Sequence, residues 1–119
     1  MKGSVVIPAY NERGRIDACV QGVADWIAGD PARWSWEVLI VDDGSTDGTK
    51  AAAERAANKA GLPVTIIRNE FNRGKGCAVR TGVLASTGDP ILVSDVDLST
   101  PLTEWVKLAT PLATHPVVI

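Results

Sequence analysis

Short apolar runs separated by stretches of helical spacing constrain this chain more than anything else in it. Residues 4–7 (SVVI), 37–41 (EVLIV), 64–67 (VTII) and 91–94 (ILVS) are rich in β-branched residues and do not alternate with polar ones. Runs of that kind are strands covered on both faces, as in a parallel sheet. A further run, 117–119 (VVI), reads as a fifth strand cut off at its start.

The intervening stretches are helical. Ile16, Cys19, Val20, Val23 and Ile27 recur at helical spacing and place a helix over 12–28. An Ala-rich helix is expected over 47–60, capped by Ser45 or Thr46 and stopped at Gly61. A third covers 75–85 with Gly82 inside it, and close packing on the sheet is the expected reason for that glycine. Leu102, Trp105, Val106 and Ala109 mark a fourth helix, which Pro111 should end or kink. Strand and helix thus alternate throughout, which gives an α/β fold with a parallel sheet and right-handed crossovers.

Composition narrows the class of partner. The chain has 119 residues, 45% of them hydrophobic, enough for one compact domain with a modest core. Its formal net charge of -2 shows no basic surplus, so no nucleic-acid partner is expected. Cys19 and Cys77 lie far apart among small and apolar residues, without metal-ligand spacing. They read as buried thiols, and a reducing, cytoplasmic setting is expected. Met1-Lys2-Gly3 runs straight into a strand pattern, so no signal peptide is expected there. No apolar run approaches the ~20 residues of a membrane helix.

In an open parallel sheet, ligands bind beyond the carboxyl ends of the strands, near the switch in strand order. Each strand here is followed by polar or glycine-rich sequence. PAYNE (8–12) follows the first and DDGSTDG (42–48) the second. Arg68-Asn69 and then NRGKG (72–76) follow the third, and DVDLSTP (95–101) the fourth.

Asp95 and Asp97, one residue apart past a strand, can hold a hard divalent cation through oxygen, with Ser99 adding a hydroxyl. The plainer alternative is a solvated acidic turn in which Asp97 or Ser99 caps the next helix. Asp42 and Asp43 crowd negative charge at the same rim, which a metal or a base edge bearing N–H donors would offset. Alternatively, one of the pair simply sets the turn at Gly44. Gly74-Lys75-Gly76 opens a helix, where backbone N–H groups and the dipole favour an anion and Lys75 adds charge. A surface lysine in a turn is the alternative there. The Walker pattern GxxxxGK[ST] is absent, and no GxGxxG follows the first strand. His115 reads as a structural or solvent-facing residue. Trp26, Trp34, Trp36 and Trp105 read as packing residues rather than a sugar platform.

Taken in order and spacing, SVVIPAYNE, VLIVDDGSTDGT, NRGKGCAVRTG and DVDLSTP resemble the motifs of family 2 glycosyltransferases. The resemblance runs over nearly the whole chain and implies the GT-A fold, a Rossmann-like parallel sheet with alternating helices. It is strongest to the branch that makes dolichyl- or polyprenyl-phosphate glucose, with the mannose branch close by. It implies that Pro8, Ala9, Tyr10 and Glu12 surround the base and ribose, that Asp42 accepts a hydrogen bond from the base, and that Asp43 supports that loop. Lys75 would lie near the diphosphate or sugar, and Val96, where relatives often carry Ala, would offer backbone near the ribose. Asp95, Asp97 and Ser99 would hold Mg²⁺ or Mn²⁺, with Asp97 the catalytic member.

The same resemblance implies an inverting transfer of a hexose from a nucleotide sugar, UDP-glucose or else GDP-mannose, to a polyprenyl phosphate. A lipid phosphate with a second pKa near ~6 is largely ionised at neutral pH, so no strong protein base is needed. Relatives continue into an acceptor-binding half, at times with membrane-associated helices. Residues 1–119 are therefore expected to be the donor-binding part, truncated before that half. The full-length protein would work at the cytoplasmic face of a membrane. The last strand would expose an edge, which self-association into a homo-oligomer could cover.

Three other readings fit less well. A phosphoacceptor signalling domain carries its acidic pair after the first strand, not the second, and a lysine after the last. A sugar nucleotidyltransferase has a glycine-rich phosphate loop where this chain has PAYNE. A donor-binding but catalytically silent module shares every motif.

Overall fold

The computed structural model describes residues 2–29, 35–96 and 117–118. In chain order the elements are β1 (Lys2–Ala9), α1 (Ile16–Ala28), β2 (Ser35–Asp42), α2 (Thr49–Ala60), β3 (Val64–Arg68), α3 (Lys75–Ala85), β4 (Ile91–Val93) and β5 (Val117–Val118). All pairings are parallel and the spatial order is β3-β2-β1-β4-β5. The chain steps outward from β1 to β2 to β3, then returns to the other side of β1. The switch in strand order therefore lies between β1 and β4.

The period of two along β1 divides the core into two layers. Val5, Ile7 and Ala9 face one side and pack with Ile16, Cys19, Val20 and Val23 of α1 and Ala52, Ala53 and Ala56 of α2. Val6 faces the other side with Leu39, Ile91 and Val93, under Val79 and Val83 of α3. Because the chain reverses direction across the sheet after β3, one crossover hand puts α3 opposite α1 and α2. Each fully buried aliphatic side chain of this kind contributes roughly 1.5–3 kcal/mol.

Gly82 explains how α3 sits so low on the sheet. A Cβ there would lie 2.3 Å from Val6 Cγ1 and 3.1 Å from Val41 Cγ2, the close packing expected from the sequence. Gly61 ends α2 in the left-handed region at φ 67°, also as expected, with the Leu62 N–H returning to the Ala57 carbonyl at 3.0 Å. The Trp26 and Trp36 rings pack on each other at 4.9 Å between centroids, near the amino end of β2. Cys19 is buried in the core and Cys77 is half-buried on α3.

Two helix starts differ from the sequence expectation. α1 begins at Ile16 rather than residue 12, because Asn11 adopts φ 51° and residues 12–15 form a turn. α2 begins at Thr49 rather than residue 47, because Gly48 at its amino end has φ 86°. Neither Ser45 nor Thr46 caps α2. The Asp47 carboxylate instead accepts the Thr49 N–H at 3.0 Å.

A separate network closes the amino end of the sheet. Glu37 Oε2 accepts from the Ser4 hydroxyl at 2.6 Å and the Thr87 N–H at 2.8 Å, while Ser4 Oγ accepts the Gly88 N–H at 2.8 Å. Burial raises the Glu37 carboxyl, but these bonds and the Lys2 charge outweigh it and hold it below its ordinary value.

β5 pairs with β4 through Val117 and Val118 and is the outermost strand on that side. The fourth helix expected around Trp105, and also Trp34, Asp97, Ser99 and His115, lie outside the described residues. Among the described residues, no helix is long and apolar enough to cross a membrane.

Candidate functional site

A cavity of about 440 Å³ opens at the carboxyl ends of β1, β2 and β4, where the strand order switches. The end of β1 supplies Pro8, Ala9 and Tyr10, and the turn into α1 supplies Glu12 and Arg15. Asp43 comes from the end of β2. Asn72, Gly74, Lys75 and Ala78 come from the start of α3 and the segment before it, and Asp95 and Val96 follow β4. Nine of the residues singled out from the sequence thus share one cavity: Pro8, Ala9, Tyr10, Glu12, Asp43, Gly74, Lys75, Asp95 and Val96.

The acidic pair at the end of β2 divides its work. Asp43, 3% exposed, lines the cavity. Its Oδ1 accepts the Asn69 side-chain amide at 2.8 Å and the Arg73 N–H at 3.0 Å, and its Oδ2 accepts the Gly74 N–H at 2.9 Å. A carboxylate offers about four lone-pair directions, so one acceptor position is left for a ligand. Burial raises the Asp43 carboxyl, but these three bonds and the Arg73 charge together hold it below the usual range.

Asp42 is fully buried and does not line that cavity. Successive side chains at a strand end point to opposite sides, and Asp42 faces a second concavity under Arg68. Its Oδ1 accepts the Ser45 N–H at 2.9 Å, and its Oδ2 meets the Arg68 guanidinium at 3.1 Å. The structure therefore separates the two carboxylates in the sense opposite to the expectation. Asp43 faces the cavity, and Asp42 ties the end of β3 to the loop after β2.

Gly44 makes this turn feasible. It adopts φ 76°, and a Cβ on it would lie 2.4 Å from the Phe71 carbonyl carbon. Phe71 in turn carries the Arg73 guanidinium 4.5 Å above its ring, which steadies the segment holding Asn72.

Across the cavity, the Lys75 ammonium forms an ion pair with Asp95 Oδ1. The first turn of α3 leaves N–H groups without intrahelical partners beside that lysine, an environment suited to an anion. Asp95 presents hard oxygen donors of the kind Mg²⁺ and Mn²⁺ take, and a cationic group already rests against it. Among the described residues no three ligating side chains cluster, so Asp95 supplies one donor carboxylate there. That number fits a cation bound mainly by one or two carboxylates and substrate phosphates.

Arg15 and Ala78 line the cavity without having been singled out from the sequence, and Asn72 was marked only as part of the NRGKG rim segment. Arg15 was placed inside a helix, whereas it stands at the amino end of α1 with its guanidinium 3.9 Å from Glu12. The i, i+3 spacing from Glu12 was the available signal. Asn72 directly precedes RGKG, and Ala78 lies one turn into α3 on the same face as Lys75.

Known proteins share this fold. Residues 4–119 match the family described as glycosyl transferase family 2. A human dolichyl-phosphate beta-glucosyltransferase is 38% identical over 110 residues, covering 88% of this chain and 34% of that protein. A mannosyltransferase from Pyrobaculum calidifontis, solved with GDP-Man and Mn²⁺, is 30% identical with a TM-score of 0.70, over 80% of this chain and 27% of its own. Glucosyl-3-phosphoglycerate synthase from Mycobacterium tuberculosis, solved with Mn²⁺, UDP-glucose and phosphoglyceric acid, is 27% identical with a TM-score of 0.67, over 96% and 40%. The chain spans about a third of the length of the curated relatives it matches. With its sheet order, its rim motifs and a family match over nearly its whole length, the chain belongs to glycosyl transferase family 2.

Proposed function

We propose that this chain is the donor-binding part of an inverting glycosyltransferase that takes a nucleoside-diphosphate hexose, UDP-glucose in the first instance. The observation that carries the reading is the convergence of Asp43, Lys75 and Asp95 with the Pro8–Tyr10 backbone around one cavity at the strand switch. The relatives named for glucosyl transfer to dolichyl phosphate support glucose and a polyprenyl-phosphate acceptor. The Pyrobaculum structure with GDP-Man keeps GDP-mannose as the competing donor.

In this reading the base lies against Pro8, Ala9 and Tyr10, and its N–H edge donates to the remaining acceptor position of Asp43. Asp42 buttresses the loop from behind. Lys75 and the first N–H groups of α3 receive the diphosphate. Asp95, with Asp97 and Ser99 beyond the described residues, would hold Mg²⁺ or Mn²⁺, and Val96 borders the ribose. A divalent cation there supplies Lewis-acid stabilisation of charge on the leaving diphosphate. Lys75 adds to that stabilisation as the bond to the anomeric carbon breaks. The acceptor oxygen attacks from the opposite face, which inverts the anomeric centre. The acceptor-binding half and attachment to the cytoplasmic face of a membrane belong to the whole protein.

Calorimetric titration of UDP-glucose and GDP-mannose, with and without Mn²⁺, tests this on the parent and on Asp95→Ala. One donor should bind in a Mn²⁺-dependent way, at least tenfold more weakly to the variant. Binding by neither donor to the folded parent would refute a competent donor site, and equal binding to Asp95→Ala would remove Asp95 from it.

A further inference from the structure

The segment Ser45-Thr46-Asp47-Gly48 was marked as part of the rim and runs into Thr49, yet only Asp42 and Asp43 before it enter the donor-site reading. Its side chains do something specific. Three consecutive backbone amides of the turn between β1 and α1 are received by it. The Asn11 N–H goes to Ser45 Oγ at 2.9 Å, the Glu12 N–H to Thr49 Oγ1 at 2.9 Å, and the Arg13 N–H to Asp47 Oδ2 at 3.2 Å. A bond in the reverse direction completes the clamp, the Thr46 N–H donating to Asn11 Oδ1 at 2.9 Å.

The bonds also have a direction. Thr49 accepts from Glu12 and donates its own hydroxyl proton to Asp47 Oδ1, so the hydroxyl bonds in both directions. Thr49 is fully buried and Ser45 is 5% exposed, so water would not replace either oxygen without rearrangement. Asp47 is drawn below the ordinary carboxylate range chiefly by the Thr49 hydroxyl, with the Arg13 and Thr49 N–H groups adding to it. From the far side, the Arg68 guanidinium holds Asp42 Oδ2 and the Ser45 carbonyl at 3.1 and 3.2 Å. The ends of β3, β2 and β1 are thus linked in series.

The held turn is left-handed at its centre. Asn11 sits at φ 51°, a conformation uncommon among non-glycine residues but one that asparagine tolerates better than most. Immediately on either side of it are Tyr10 and Glu12, which both line the cavity. We infer that Ser45, Asp47 and Thr49 are positioning residues for the nucleotide, fixing the turn after β1 in the shape that brings Tyr10 and Glu12 to the cavity wall. This rests on the donor-site reading above. A role confined to starting α2 would need only the Asp47–Thr49 contact and would leave Tyr10 indifferent.

Tyr10 is the sole tyrosine of the chain, so 3-fluorotyrosine labelling gives a single ¹⁹F resonance from the turn itself. Thr49→Val keeps the shape of the side chain but orphans the Glu12 N–H, whereas Thr49→Ser keeps the hydroxyl. The expectation is a displaced or broadened resonance in ligand-free Thr49→Val, with UDP affinity in Mn²⁺ buffer at least tenfold lower and both restored in Thr49→Ser. Asp47→Asn, at a half-buried side chain, provides the same two readouts should Thr49→Val fail to fold. Parent-like resonance and parent-like UDP affinity in a folded Thr49→Val or Asp47→Asn would overturn the inference. If the parent itself does not bind UDP, the donor-site reading fails. The ligand-free resonance then still decides whether the clamp sets the turn.

Discussion

Asp43 Oδ2 accepts the Gly74 N–H at 2.9 Å, and this bond joins the end of β2 to the start of α3. One carboxylate therefore orders the segment that brings Lys75 to the cavity while also facing the cavity itself. Asp43→Asn replaces an oxygen by an amide NH₂, which sets a donor against the N–H of Arg73 or Gly74. Loss of hydrogen bonds to a buried charged group costs about 1–3 kcal/mol. The expected outcome is that loss in urea denaturation together with donor affinity reduced at least tenfold. A variant of unchanged stability and affinity would contradict both roles.

Acid should weaken the fold through the same group. The folded pKa of Asp43 is depressed, so between its folded and unfolded values the unfolded chain binds more protons than the native one. Its contribution is complete above the ordinary carboxylate pKa of about 4 and is lost as pH falls through the lower native value. Glu37, depressed likewise, adds to the slope at the other end of the sheet. Melting temperatures measured from pH 6 to pH 2 should fall below pH 4 in the parent, and less steeply in Asp43→Asn. Equal slopes would mean that Asp43 is not one of the groups taking up the protons.

Three glycines should respond differently to alanine. Gly82→Ala gains about 1 kcal/mol of helix propensity. It also drives a methyl to 2.3 Å from Val6 Cγ1, an overpacking that costs about 1–3 kcal/mol. A net loss is expected, relieved by the added change Val6→Ala. Gly44→Ala should be worse, because its methyl meets the Phe71 backbone and φ 76° is unfavourable as well. Gly48→Ala, at φ 86° with nothing within 4 Å, should show only the conformational cost. Thermal melts of the three variants would give that order, and a Gly82→Ala protein as stable as the parent would refute the close packing.

Lys75→Met separates stability from binding. The Lys75 and Asp95 side chains are 64% and 44% exposed, and exposed pairs of this kind contribute about 0–1 kcal/mol. Unfolding should therefore be nearly unchanged while donor affinity drops at least tenfold. A large stability loss with intact binding would reverse the assignment.

The strands and their parallel sheet could be read from the sequence because β-branched runs without polar alternation have few other uses. Gly82 and Gly61 were readable too, the first because a side chain there would meet Val6 and the second because a left-handed helix end favours glycine. What escaped the sequence depends on backbone angles that no residue spacing reveals. Asn11 and Gly48 turn left-handed and shift two helix starts by several residues, which moves Arg15 from a helix interior to the cavity wall. The pair Asp42 and Asp43 shows the same difficulty at a strand end. Two identical neighbours point to opposite sides, and only the pleat of β2 settles which one faces the cavity.

The Glu37 network with Ser4, Thr87 and Gly88 lies at the amino end of the sheet, and the cavity lies at the carboxyl end. Along β1, Ser4 in the network and Pro8 in the cavity wall are four residues apart, roughly 13 Å at the usual rise per residue. The Glu37 clasp, which touches no cavity residue, is thus set apart from the rim by the length of strand between them. A laboratory or a lineage seeking a hardier protein can rework the amino end, reinforcing the Glu37 clasp or the tilted Trp26–Trp36 pair. The loops that choose a ligand would keep their freedom to diverge.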